Sequence, residues 1–247
     1  MLPIAISLKD VTVSYGGKTA LKNASIDIPY KSFTGVIGMN GAGKSTLFKT
    51  IMGLVQPESG TVTVCDDPVM IAQKHGHVAY VPQSSEVDWD FPISVYDVVM
   101  MGRYGKQNVF KSPQAADHEH VTKALEEVRM LDHKDHQIGE LSGGQKKRVF
   151  VARALAQGAD ILLLDEPFAG LDAISEKSLI ELFIRLKERG KTIILATHDL
   201  LSLPDTCDRV ALVKHTVIAN GPTSEVFTRD LVTKTFDGLL HHITFKD

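Results

Sequence analysis

Residues 38–45 read Gly38-Met39-Asn40-Gly41-Ala42-Gly43-Lys44-Ser45, a complete G-x-x-x-x-G-K-S pattern. The run before it, Phe33-Thr34-Gly35-Val36-Ile37, has the character of a buried strand, and Thr46-Leu47-Phe48-Lys49-Thr50-Ile51-Met52 that of a helix. A strand, a glycine-rich loop and a helix in that order form an anion cradle. Glycines let successive backbone N–H groups curl around a polyphosphate, and the helix N-terminus adds partial positive charge. Gly38, Asn40, Gly41, Ala42 and Gly43 would line the cradle, with Thr46 at the start of the helix. Lys44 can reach the β- and γ-phosphates, and the Ser45 hydroxyl can bind Mg²⁺. The pattern predicts ATP and Mg²⁺ as ligands.

The 247 residues carry 27 basic and 30 acidic side chains, net −3. That balance gives no support to a nucleic-acid binder, which shows a basic excess or stripe. Cys65 and Cys207 lie far apart and lack C-x-x-C spacing, so they fit reduced residues of a cytosolic protein. Met1–Ser7 is too short for a signal peptide and leads straight into strand-like alternation. No apolar run approaches the roughly eighteen residues a membrane helix needs.

Outward from the phosphate loop, residues 4–13 and 21–28 alternate as antiparallel strands around Tyr15-Gly16-Gly17-Lys18. From Pro92 to Ala156 the pattern turns helical. Ser94 has capping-box spacing to Asp97, and Ser112-Pro113 offers an N-cap followed by proline. Val121, Ala124, Leu125, Val128 and Leu131 then keep helical spacing. After residue 157 strands and helices alternate again. The expected fold is an α/β P-loop core of about residues 1–90 and 157–247, with an antiparallel β subdomain and a helical subdomain inserted at about 91–156.

Ile161-Leu162-Leu163-Leu164-Asp165-Glu166 reads as a fully buried parallel strand ending in two carboxylates. Ligands sit at that edge of such sheets, so Asp165 could enter a Mg²⁺ shell and Glu166 could take a proton from water. Leu141-Ser142-Gly143-Gly144-Gln145 opens a second helix, with Ser142 as N-cap and another anion site at its first turn.

With both long motifs in this order, the chain resembles the ATP-binding subunits of ABC transporters over nearly its whole length. The resemblance implies roles for the matching residues. Tyr15 would stack on adenine, and Gln83 would sense Mg²⁺ and water. Ser142, Gly143, Gly144 and Gln145 form the signature that meets the ATP of a second copy. Asp165 belongs to the metal shell and Glu166 is the general base. Asp172 lies in the loop that contacts the second copy, and His198 touches the γ-phosphate. Lys146-Lys147-Arg148 is more basic than the common version of the signature helix, with no chemical consequence expected.

The segment Ser84-Ser85-Glu86-Val87-Asp88-Trp89-Asp90-Phe91-Pro92 follows Gln83 and resembles the branch serving bacterial importers of manganese, zinc or iron. In that family the region receives a coupling helix of the membrane permease, with Trp89 and Phe91 as candidate anchors. The implied partners are that permease, a second copy of the chain and, indirectly, a solute-binding protein; the implied place is the cytoplasmic face of the membrane. A soluble ABC-type ATPase acting on nucleic acid or ribosomes is the rival reading. Histidines at short spacing, His75/His77, His118/His120, His133/His136 and His241/His242, are expected to be surface imidazoles, since no ligand set completes around them.

Overall fold

The computed structural model describes residues 3–238 apart from 84–87, 90, 109, 111 and 201–202. Two compact units divide the chain, Met1–His75 with Leu186–Asp247, and Gly76–Arg185. The first begins with β1 (Ile4–Tyr15), β2 (Lys18–Pro29), β3 (Phe33–Ile37), α1 (Lys44–Ile51), β4 (Ser59–Val64), β5 (Asp67–Pro68) and α2 (Val69–His75). The second carries β6 (Val78–Val81), α3 (Val95–Met100), α4 (Ala115–Glu127), α5 (Gly143–Ala156), β7 (Ile161–Asp165) and most of α6 (Ala173–Glu188). The first unit resumes with β8 (Thr192–Thr197), α7 (Leu203–Thr206), β9 (Arg209–Val213), β10 (Val217–Pro222), α8 (Thr223–Val226) and α9 (Arg229–Thr235).

The first unit holds an antiparallel and a parallel arrangement. β1 pairs antiparallel with β2 and β4, and β4 with β5. Alternation decides which face is inside: Ile6, Leu8, Val11 and Val13 of β1 are buried together with Leu21, Ala24, Ile26 and Ile28 of β2. β3 lies between β8 and β9, parallel to both, and β10 closes antiparallel on β9. Every residue of β3 and β8 is buried, which is why their sequences run apolar without alternation. α1 brings Leu47, Phe48 and Ile51 inside. Against β3 the packing is close at Gly35. A Cβ there would stand 2.7 Å from Leu203 Cδ2 and 3.3 Å from Cys207 Sγ. Burial, with help from Asp208, pushes the Cys207 thiol far above the usual range.

In the second unit β6 and β7 run parallel, and α3, α4 and α5 pack on one another. Ser94 caps α3 as its spacing predicts, its Oγ accepting from Asp97 N at 3.0 Å. The start of α4 differs from expectation. The helix begins at Ala115, with Gln114 rather than Ser112 before it. Asp117 explains the choice: its carboxylate accepts from Gln114 N at 2.9 Å and from Arg103 Nε at 2.9 Å. Arg103 in turn donates to Ala156 O at 2.8 Å, so one buried ion pair ties α4 to the end of α5. Arg148 fastens the middle of α5, donating to Val128 O at 2.9 Å and to Ser178 Oγ. Val121, Ala124, Leu125 and Val128 are buried, as their spacing requires. Among the described residues no helix is long and apolar enough to cross a membrane.

Candidate functional site

In the first unit the phosphate loop leaves β3 at its C-terminal edge. Two glycines there are demanded by packing. At Gly38 a Cβ would stand 2.2 Å from Val213 O; at Gly43, where φ is 103°, it would stand 2.8 Å from Leu21 Cδ2 and 2.9 Å from Ala20 O. Gly43 is also the N-cap of α1, so no side chain caps the first turn, and that turn has no acidic residue. Lys44 is buried, and its Nζ donates to Gly38 O at 2.7 Å and Met39 O at 3.2 Å, which shapes the loop around the ammonium. Ala42 is held from both sides, donating to Met39 O at 3.1 Å and accepting from His215 N at 2.8 Å. Asn40, Gly41 and Ser45 are exposed, and Thr46 is half-buried. An uncapped helix start without carboxylates, beside a lysine and an exposed hydroxyl, fits the triphosphate of ATP and its Mg²⁺.

Register brings His198 to the same edge. Ile37 pairs with Thr197, so Gly38 and His198 leave adjacent parallel strands side by side. The His198 side chain is exposed, and Asp199 N donates to Thr197 Oγ1 at 3.0 Å. Tyr15 ends β1 with 47% of its surface exposed, an open ring of the kind that can stack on a base.

The second unit repeats this construction. Val81 pairs with Leu164, so Gln83 and Glu166 each follow a paired residue by two positions at one sheet edge. Asp165, the last residue of β7, is buried and accepts from Tyr80 Oη at 3.1 Å. Glu166 is half-buried at φ 46°, a left-handed conformation that costs a non-glycine residue about 1–3 kcal/mol. Lys147 is buried, and among the described residues its Nζ makes no hydrogen bond. Burial pulls its pKa down, and the charges of Asp165 and Glu166 push it back up. From sequence Lys147 carries no expected consequence, and Tyr80 is not singled out there. Tyr80 was findable, since it is the strand position before Val81 whose partner precedes Asp165. Lys147 was findable as an apolar-face position of α5 occupied by a lysine.

At the start of α5, Ser142 Oγ accepts from Gln145 N at 3.3 Å and Gln145 Oε1 accepts from Ser142 N at 2.9 Å. This reciprocal box leaves the hydroxyl proton of Ser142 able to point outward. Ser142 and Gly143 are exposed. Gly144 is the close approach: a Cβ would stand 3.0 Å from Ser175 Oγ at the start of α6. That start is capped by Asp172, which accepts from Ser175 N at 2.9 Å, Ile174 N at 3.0 Å and Ser175 Oγ at 2.8 Å. The Ser175 bonds, backbone first, hold the Asp172 carboxyl below the usual range.

After Gln83, residues 84–87 and 90 lie outside the described residues. Trp89 is half-buried. Its ring meets Phe150 edge-on at 5.3 Å, and Lys146 Nζ lies 5.2 Å from its centroid. Phe91 is the open ring, 58% exposed. It borders an apolar groove of about 380 Å³ with Pro82, Val98, Met101, Phe150 and Arg153. The histidine expectation fails at more than one place: His77 is half-buried, His75 Nδ1 lies 3.3 Å from Asp67 Oδ2, and His133 is half-buried with its Nε2 3.1 Å from Gln145 Nε2. His118 bonds Tyr96 Oη at 2.5 Å, and His241/His242 lie outside the described residues.

Two sheet edges carrying these loops, and a capped signature helix, define an ATP-binding cassette. The family model for ABC transporters matches residues 21–169, and the chain belongs to that family. It is 50% identical over 235 residues to the manganese transport system ATP-binding protein MntA of Synechocystis sp., covering 95% of this chain and 90% of that one. It is 49% identical over 235 residues to the chelated iron transport system membrane protein YfeB of Yersinia pestis, covering 95% and 79%. Among solved structures, one described as a metal-chelate type ABC transporter in an inward-facing conformation superposes with a TM-score of 0.83 at 26% identity, covering 96% and 90% of the two chains. The P-loop ATPase core, antiparallel β subdomain and inserted helical subdomain expected from sequence are those of this family.

Proposed function

We propose that this chain is the ATP-hydrolysing subunit of a membrane importer for manganese or a related divalent metal, seated at the cytoplasmic face of the membrane. The observation that carries the reading is the double register. Ile37 opposite Thr197 and Val81 opposite Leu164 deliver Gly38 with His198, and Gln83 with Glu166, to strand ends where ligands bind. α3, α4 and α5 form the helical subdomain, about residues 91–156.

Tyr15 stacks on adenine, and the loop from Gly38 to Thr46 wraps the phosphates. Lys44 exchanges the loop carbonyls for β- and γ-oxygens. Ser45, Asp165 and Gln83 would hold Mg²⁺, which would supply positive charge against the phosphates. Glu166 accepts the proton of the attacking water, and His198 steadies the γ-phosphate. A second copy presents Ser142, Gly143, Gly144 and Gln145, whose N–H groups and hydroxyl complete the donor set, with Asp172 at the contact between copies. ATP clamps the dimer and hydrolysis releases it, and that cycle moves the permease.

The groove beside Phe91 is the proposed seat of a permease coupling helix, and the solute-binding protein is engaged only through that permease. Metal passes through the permease rather than this chain. Relatives that carry manganese and chelated iron in their names support a metal cargo and speak against a soluble ATPase acting on nucleic acid or ribosomes. The test is co-purification of Phe91→Ala protein with the permease encoded beside it, together with metal uptake. Assembly should weaken by about 30-fold, the equivalent of a 2 kcal/mol anchor, while soluble ATPase activity persists. Normal assembly and uptake would remove the groove from the reading.

A further inference from the structure

The side chain of Gln145 is fixed at both ends. Its amide faces Ser142 N–H at 2.9 Å, and only the oxygen end can accept there. The opposite end is therefore the NH₂ group, and it faces His133 Nε2 at 3.1 Å. A donor can bond a ring nitrogen only if that nitrogen carries no proton, so in this contact His133 Nε2 is the acceptor. Nδ1 is buried and has no hydrogen-bond partner among the described residues. The Gln145 contact is thus the polar bond that accounts for this ring's placement. His136 packs beside it, ring centroids 5.3 Å apart. The histidine comes from the single 3-10 turn Leu131–His133, twelve residues ahead of the glutamine, so no local helical spacing creates the pair.

We infer that His133 is a positioning residue for the first turn of α5. By accepting from Gln145 Nε2 it holds the amide in the orientation that closes the Ser142–Gln145 box. Without that acceptor the amide gains a competing flipped state that sets NH₂ against Ser142 N–H, donor against donor. The box then opens, and Ser142, Gly143 and Gly144 lose their fixed placement. This inference rests on the reading of Ser142–Gln145 as the site for a second copy's ATP. His133 touches no substrate and acts only through Gln145.

The test uses full-length chain carrying Glu166→Gln to block turnover, with His133→Ala, His133→Asn or His133→Gln added. Sedimentation in Mg-ATP reads dimer formation. Titration of dilute monomer with a fluorescent ATP analogue reads the phosphate loop alone. Gln places its oxygen as many bonds from Cβ as Nε2 is, whereas Asn falls one bond short. His133→Ala and His133→Asn should each raise the protein concentration for half-dimerisation about tenfold, the loss of one modest hydrogen bond per copy. His133→Gln should lie within about twofold of the parent. Monomer ATP affinity should not move in any of them. An Ala variant that dimerises like the parent, or a Gln variant no better than Asn, overturns the inference. Failure of the Glu166→Gln parent to dimerise, with ATP still bound, would instead overturn the two-copy reading and the inference with it.

Discussion

The first turns of α1 and α5 face the same electrostatic problem and meet it in opposite ways. α1 begins at Gly43 in a left-handed conformation with no side-chain cap, and the nearby ammonium of Lys44 is turned onto loop carbonyls. α5 begins at Ser142, which trades hydrogen bonds with Gln145. A helix start leaves backbone N–H groups without intrahelical partners, and an anion or a cap must answer them. α1 leaves that answer to a ligand. α5 supplies its own and keeps a hydroxyl proton to offer outward. One turn gains its order from binding, and the other is ordered beforehand.

Chemistry should be separable from both turns. Glu166→Gln leaves each untouched and removes the proton acceptor, so ATP binding should persist while turnover falls by about 10²–10⁴. Steady-state hydrolysis alongside nucleotide titration reads both numbers. Parent-level hydrolysis would assign the base role elsewhere. Lys44→Ala attacks the ligand-completed turn, and Mg-ATP affinity should drop by about 10²-fold, the upper range for a charged hydrogen bond. Unchanged affinity by calorimetry would break the contrast at its stronger end.

Ser142→Arg attacks the pre-ordered turn. Monomer ATP affinity should hold while the homodimer loses hydrolysis. Mixing it with Lys44→Ala protein should restore activity at one site of the mixed dimer. No recovery, with mixed dimers shown by cross-linking, would mean that the two sites do not work independently.

The smallest effects come from the caps themselves. Ser142→Ala should cost about 1 kcal/mol, a fall of roughly 2–4 °C in Tm. Gly43→Ser installs a favoured capping residue, yet it should destabilise by about 1–3 kcal/mol, because φ is 103° and Leu21 and Ala20 O crowd the new Cβ. Thermal unfolding of both proteins settles the order. A stabilised Gly43→Ser protein would show that the loop can reorganise at little cost.

Much of this was legible in the chain because the decisive patterns are local. A buried strand, a glycine loop and a helix occupy consecutive residues, and so do Ile161–Glu166 and Leu141–Gln145. Pairings between distant segments were not. The cap of α4 is decided by Asp117 answering Arg103, which lies on a different turn, so Ser112-Pro113 looked better than it is. Trp89 and Phe91 read alike as candidate anchors, yet Phe150 and Lys146 pack against Trp89 and leave Phe91 as the open ring. His133 looked like one surface imidazole among ten, since nothing in its neighbours announces Gln145. Side-chain partners set by irregular turns leave no period to read.

The thiol beneath Gly35 has a kinetic consequence. Cys207 is 4% exposed and its thiolate is strongly disfavoured, while Cys65 is half-exposed in the turn after β4. A maleimide attacks thiolates, so Cys65 should label promptly and Cys207 only when Leu203–Thr206 lifts away from β3. The slow phase of alkylation is then a stopwatch for transient opening of the strand that feeds the phosphate loop. If ATP braces that strand, the stopwatch should slow when nucleotide is added.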